Sequence, residues 1–153
     1  FVIDNIRMYS LKYLNEERMS ANLSQLIEDE ILNYIAKRHS ESMAIYNYCE
    51  HLDFNGKYPV DRARDMGFNT KKIHNGVIYD GVGENLCAMP HGGIVVGFGK
   101  IDIYDSEKIA RSMIKCLMDS PEHKENILNE VYTHVGIGVA YGHGYYYLTQ
   151  DFW

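Results

Sequence analysis

The run Asp119-Ser120-Pro121-Glu122-His123-Lys124-Glu125-Asn126-Ile127-Leu128 sets a histidine between a Ser-Pro pair and an Asn-Ile-Leu close. Two further polar landmarks precede it. His51 sits in Cys49-Glu50-His51-Leu52-Asp53, and Glu84 sits in Gly83-Glu84-Asn85-Leu86. Two imidazoles and one carboxylate, so far apart in sequence, share a site only if the fold gathers several loops. Together they are a common ligand set for zinc and similar divalent ions.

Around these landmarks the pattern alternates between helix and strand. Residues 6–19 read as a short first helix, and a stronger second one runs from 24 or 26 to about 46. Leu32, Ile35, Ala36, His39 and Met43 form its apolar stripe at three- and four-residue steps. His39 on that stripe reads as a core histidine hydrogen-bonded to a neighbour. Asn55-Gly56 signals a turn. Pro59 suits the first position of a short helix that Gly67 stops. Residues 69–81 read as loop and 84–89 as a strand. The glycine-rich stretch 90–104 is not a phosphate cradle. Built on Gly99-Lys100, a cradle needs a glycine at 94 and a hydroxyl at 101, where Ile94 and Ile101 stand. Asp105 or Ser106 caps a helix to about 118, with Ile109, Met113 and Leu117 on its buried side.

Gly142-His143-Gly144 joins 135–141 to 145–152 and predicts a hairpin. Alternation puts Tyr146, Leu148, Gln150 and Phe152 on one face of its second strand. Tyr145, Tyr147, Thr149 and Asp151 fall on the other. One face meets the core; the other reads as ordinary surface or groove lining. Helices before and between strands predict an α+β arrangement.

From Leu14 to Trp153 the chain resembles the CAP superfamily of cysteine-rich secretory proteins, venom antigens and plant pathogenesis-related proteins, in its compact prokaryotic branch. The resemblance rests on Leu14-Asn15-Glu16-Glu17-Arg18 and on Ala36, His39 and Met43. It continues through His51, Gly56, Arg62 and Gly67 and the Gly83-Glu84-Asn85 triplet. It closes with Ser120-Pro121-Glu122-His123, Asn126-Ile127-Leu128, Gly136-Ile137-Gly138 and Thr149-Gln150-Asp151-Phe152. Each motif alone is weak; the ordered series is specific.

The resemblance implies one domain over 1–153, with 1–13 as an N-terminal extension or the remnant of a longer precursor. It implies a three-layer α-β-α sandwich around a small antiparallel sheet. Its groove would be lined by His51, Glu84 and His123. Asp119 stands in, with shorter reach, for a fourth acid found in eukaryotic members, or that position is empty. The prokaryotic relatives usually have a shorter connection than 90–104, which makes that stretch an insertion. Arg18 and Arg62 read as anchors between helices and loops.

Two functional readings follow, with a third behind them. In the first, a secreted or cell-surface domain binds an extracellular ligand, which is peptide, glycan, lipid or protein. Its His51, His123 and Glu84 hold zinc or another divalent cation. In the second, the same residues make a metal-dependent, peptidase-like hydrolase, with Glu84 as general base towards a water held by His51 and His123. In the third, the domain is an interaction scaffold with a vestigial site.

Bulk properties narrow the choice. A chain of 153 residues buries roughly 70% of its unfolded surface as one domain. The net charge of −6 at pH 7, with no basic cluster, argues against nucleic acid. No apolar run is long enough to span a membrane. Cys49, Cys87 and Cys116 are too few for a full disulfide framework. They read as three buried thiols, or as one bridge and a free thiol. Phe1 in place of methionine suggests a mature or excised fragment.

Overall fold

The computed structural model describes residues 1–97, 99–101 and 104–153. Five helices and eight strands follow one another in these residues. They are α1 (Val2–Ser20), β1 (Ile27–Glu28), α2 (Glu30–Tyr46), α3 (Pro59–Asp65), β2 (Lys71–His74), β3 (Val77–Asp80) and β4 (Gly83–Pro90). There follow β5 (Gly93–Val95), β6 (Gly99–Ile101), α4 (Ser106–Met118), α5 (Pro121–Ile127), β7 (His134–Gly142) and β8 (Tyr145–Phe152).

The central sheet has the order β1-β7-β8-β4. β7, β8 and β4 pair antiparallel, and the two-residue β1 adds in parallel to β7. One face packs Val135, Ile137, Val139, Leu148 and Phe152 against Ile6 and Leu14 of α1, Ile109, Met113 and Leu117 of α4, and Ile127 of α5. The other face packs Leu86, Ala140 and Tyr147 against Met43 and Ala44 of α2. This is the three-layer α-β-α sandwich that the resemblance implies.

The sheet is therefore covered on both sides, and β8 is buried from Tyr146 to Phe152. The reading of one β8 face as surface does not hold. Close packing of α2 depends on glycine. A Cβ on Gly136 would lie 2.0 Å from the carbonyl carbon of Leu32, and one on Gly138 would lie 2.2 Å from that of Ala36. The Gly-x-Gly spacing lets the helix rest directly on the β7 backbone.

The second helix begins later than its periodicity suggests. Asp29 accepts hydrogen bonds from the Ile31 and Leu32 amides at 2.8 and 2.9 Å and fixes the start at Glu30. The preceding Ile27 and Glu28 are drawn into the sheet. Residues 69–81 are not a plain loop. β2 and β3 form a hairpin turned by Asn75 (φ 49°) and Gly76 (φ 77°), an Asn-Gly pair suited to a tight turn. Pro121 opens α5 at its first turn, and Ser120 sits at the N-cap. In the stretch 90–104, β5 and β6 make a second small hairpin. Phe98, Asp102 and Ile103 of that stretch lie outside the described residues. As predicted, Asp105 caps α4, accepting from the Lys108 amide at 2.9 Å.

Two buried arginines tie loops to this frame, as anticipated. Arg18 donates to the carbonyls of Ser24, Ile127, Asn129 and Tyr132. Arg62 donates to those of His51 and Lys57, at 2.8 and 2.9 Å.

Candidate functional site

The Gly83-Glu84-Asn85 triplet organises the site because successive strand residues point to opposite faces. Gly83 leaves room for Tyr132, whose hydroxyl would lie 2.2 Å from an added Cβ. Glu84 points towards the α2–α3 layer. Its Oε1 accepts from His51 Nδ1 at 2.9 Å and its Oε2 from Arg62 Nη2 at 2.6 Å. Asn85 points the other way. Its Nδ2 donates to the carbonyl of His123 at 3.0 Å, and its Oδ1 accepts from Asn126 Nδ2 at 2.9 Å. One residue thus orients the first histidine, and the next pins the helix that carries the second.

The chemistry follows from these bonds. A carboxylate can only accept, so the Nδ1 of neutral His51 carries the proton and its Nε2 lone pair is free. The His51 side chain is 49% exposed, whereas that of Glu84 is 1% exposed. Burial, followed by the charge of Arg62, lowers the His51 pKa below its usual value. Burial, followed by the charge of His51, lowers that of His123. Both shifts favour the neutral rings.

His39 joins this network, which its place on an apolar stripe did not reveal. Its Nε2 donates to the Glu50 carbonyl at 2.8 Å and lies 4.0 Å from Glu84 Oε1. The core reading of His39 stands, with backbone as its partner. Burial, followed by the charge of Arg62, lowers its pKa to about 4, so it is neutral at ordinary pH.

The acids are arranged differently from expectation. Asp119 caps the C-terminus of α4, is exposed and pairs with Lys115 at 3.0 Å. The second carboxyl at Glu84 comes from Asp151, its direct partner across the β4–β8 ladder. Asp151 is fully buried, and neither of its oxygens receives an N–H or O–H from another group. Burial and then the Glu84 charge push its pKa well above its usual value, which favours the protonated form beside Glu84. Burial raises the Glu84 pKa as well, but Asp151 and the Arg62 charge oppose that rise, so Glu84 is the more acidic member of the pair. Alternation along β8 had placed Asp151 on the correct face; the cross-strand register that makes it a partner has no local signature.

The family model for the cysteine-rich secretory protein (CAP) family matches residues 11–152. The chain belongs to the CAP family. Its sequence is 27% identical over 124 residues to the protein YkwD of Bacillus subtilis (strain 168), covering 81% of this chain and 38% of that protein. By structure it resembles an extracellular SCP-domain protein of Bacillus anthracis (str. Ames). The TM-score is 0.71 at 21% identity, over 97% of this chain and 40% of that one. It also resembles an outer surface protein of Borrelia burgdorferi, with a TM-score of 0.67 at 18% identity, over 93% and 86% of the two chains. The chain thus spans well under half the length of its Bacillus relatives. No helix among the described residues is long and apolar enough to cross a membrane.

Within this CAP domain, no group of three His, Cys, Asp or Glu side chains among the described residues stands together to hold a metal ion. Both Glu84 oxygens are already engaged, Oε1 by His51 and Oε2 by Arg62. The same engagement leaves Glu84 poorly placed as a general base. The cysteines are all free; Cys49 and Cys116 are exposed rather than buried. Burial pushes the Cys87 thiol up to about 12, which makes it inert as a nucleophile.

Proposed function

We propose that this CAP domain is an extracellular or cell-surface binding module in which His51 and His123 present their imidazoles to ligand and take a divalent cation, zinc among them, with modest affinity. The observation that carries this reading is the His51–Glu84 hydrogen bond at 2.9 Å. It leaves Nε2 as a lone-pair donor on a half-exposed ring, the arrangement that carboxylates impose on metal-binding histidines. Only two protein donors are available, and water completes the shell, so affinity stays below that of three- or four-ligand sites. The extracellular assignment draws on relatives described as extracellular or outer surface proteins. The ligand proper is a peptide, glycan, lipid or protein; the hydrolase reading has less support because Glu84 is sealed in its ion pair.

Zinc titration by calorimetry tests the proposal on wild type, His51→Ala, His123→Ala and Glu84→Gln. Wild type binds near neutral pH, and either histidine variant abolishes the heat. Glu84→Gln weakens binding by about tenfold or more. Protons compete for the same nitrogens, so affinity is level at neutral pH and falls as pH drops through the lowered histidine pKa values. Absence of binding by wild type, or undiminished binding by His51→Ala, removes the metal from the proposal.

A further inference from the structure

A second polar cleft, lined in part by His39 and Arg62, lies between the outer face of α2 and the turn at residues 53–55. Its volume is about 510 Å³, within the range of small-ligand sites. Tyr46 and Phe54 line it and are 60% and 65% exposed. They pack edge to face, with ring centroids 4.8 Å apart, and each keeps ring surface open to solvent. The turn that presents Phe54 is rigid: Asp53 Oδ1 accepts from the amides of Asn55 and Lys57 at 2.8 and 3.0 Å.

The lining is charge-balanced. Arg38 and Arg62 face Glu41 and Asp53, two cations against two carboxylates, with His39 neutral. Such a lining favours neither an anionic nor a cationic ligand. None of the lining residues belongs to a strand, so a peptide has no edge to extend. Polar groups share the walls with the aromatics, which disfavours a lipid chain. Polar side chains of Arg38, Glu41, Ser42 and Asn55 share the cleft with the two rings. A guanidinium that donates, a carboxylate that accepts and an amide that does both suit hydroxyl groups, which donate and accept alike.

We propose that this cleft is a binding site for a neutral, hydroxyl-rich glycan, whose C–H face stacks on Tyr46 and Phe54 while its hydroxyls meet Arg38, Glu41 and Asn55. Its lining includes none of His51, Glu84 and His123, and binding there does not depend on a metal.

Calorimetry and NMR titration with chitotetraose, cellotetraose and maltotetraose test it, with a sulfated heparin tetrasaccharide as the charged comparison. At least one neutral tetrasaccharide binds in the millimolar range or tighter and shifts resonances of Tyr46, Phe54 and Asn55. Phe54→Ala and Tyr46→Ala each weaken it by about tenfold, with unchanged thermal melting and an unchanged zinc titration. Absence of binding by all three neutral sugars at 10-fold above the millimolar range (about 10 mM) overturns the proposal. So does preference for the sulfated sugar, or binding that survives both substitutions. Because zinc and sugar are read separately, loss of either leaves the other assignment standing.

Discussion

Asp151 has no exposed surface, and the Glu84 carboxylate lies opposite it across the strand pair. The pair tolerates burial because one proton is shared and Arg62 neutralises Glu84 at 2.6 Å. An acid whose folded pKa is raised stabilises the fold fully only below its unfolded value, here 3.8. That stability is lost as pH rises from about 4 through the raised folded value. Asp151→Asn keeps a donor for Glu84 and removes the ionisation. We expect it to be more stable than wild type at pH 7, by about 1 kcal/mol or more, and to lack the decline between pH 4 and 8. Urea midpoints across that range check this; parallel curves for the two proteins would show that Asp151 is already ionised. Sequence revealed the landmark histidines and Glu84 because each sits in a recognisable frame. For the fourth acid it offered Asp119 or an empty position; nearness in sequence to His123 says nothing about direction, and the α4 terminus turns Asp119 outward to Lys115.

Among the elements, α2 rests directly on the β7 backbone, an approach that Gly136 and Gly138 permit. Gly138→Ala would drive a methyl into the Ala36 backbone, which cannot yield as a side-chain tip can. We expect a loss of about 3 kcal/mol or more, or failure to fold. Gly81→Ala, with open space around it, should change stability by less than about 1 kcal/mol. Thermal melts of the two variants separate these outcomes. Helices α2 and α4 were legible because each buries one stripe and shows it as a 3.6-residue period. The β2–β3 hairpin was not, although Asn75-Gly76 marks its turn. β3 is exposed at every residue and β2 at alternate ones, so neither strand has a core face to impose a two-residue alternation.

At the scale of the whole molecule, stability is concentrated in the covered sheet. Amides of β7 and β8, buried between two helical layers, are expected to exchange with solvent only on global unfolding. Those of the β2–β3 and β5–β6 hairpins, each a two-stranded sheet apart from the main one, should exchange through local opening. Native-state hydrogen exchange read by NMR distinguishes the two classes; equal protection would mean that the hairpins are integral to the core. The sequence by itself determined the kinds and order of most elements, the α+β class and the identities of His51, Glu84 and His123, because turn chemistry, periodicity and short motifs are local. Only the tertiary structure decided that Asp151 lies opposite Glu84, that His39 and Arg62 close around the same carboxylate, that Glu84 supports His51 instead of standing open, and that Asp119 is elsewhere. These depend on strand register and on which layer each loop meets, which packing of the whole chain fixes between residues tens of positions apart.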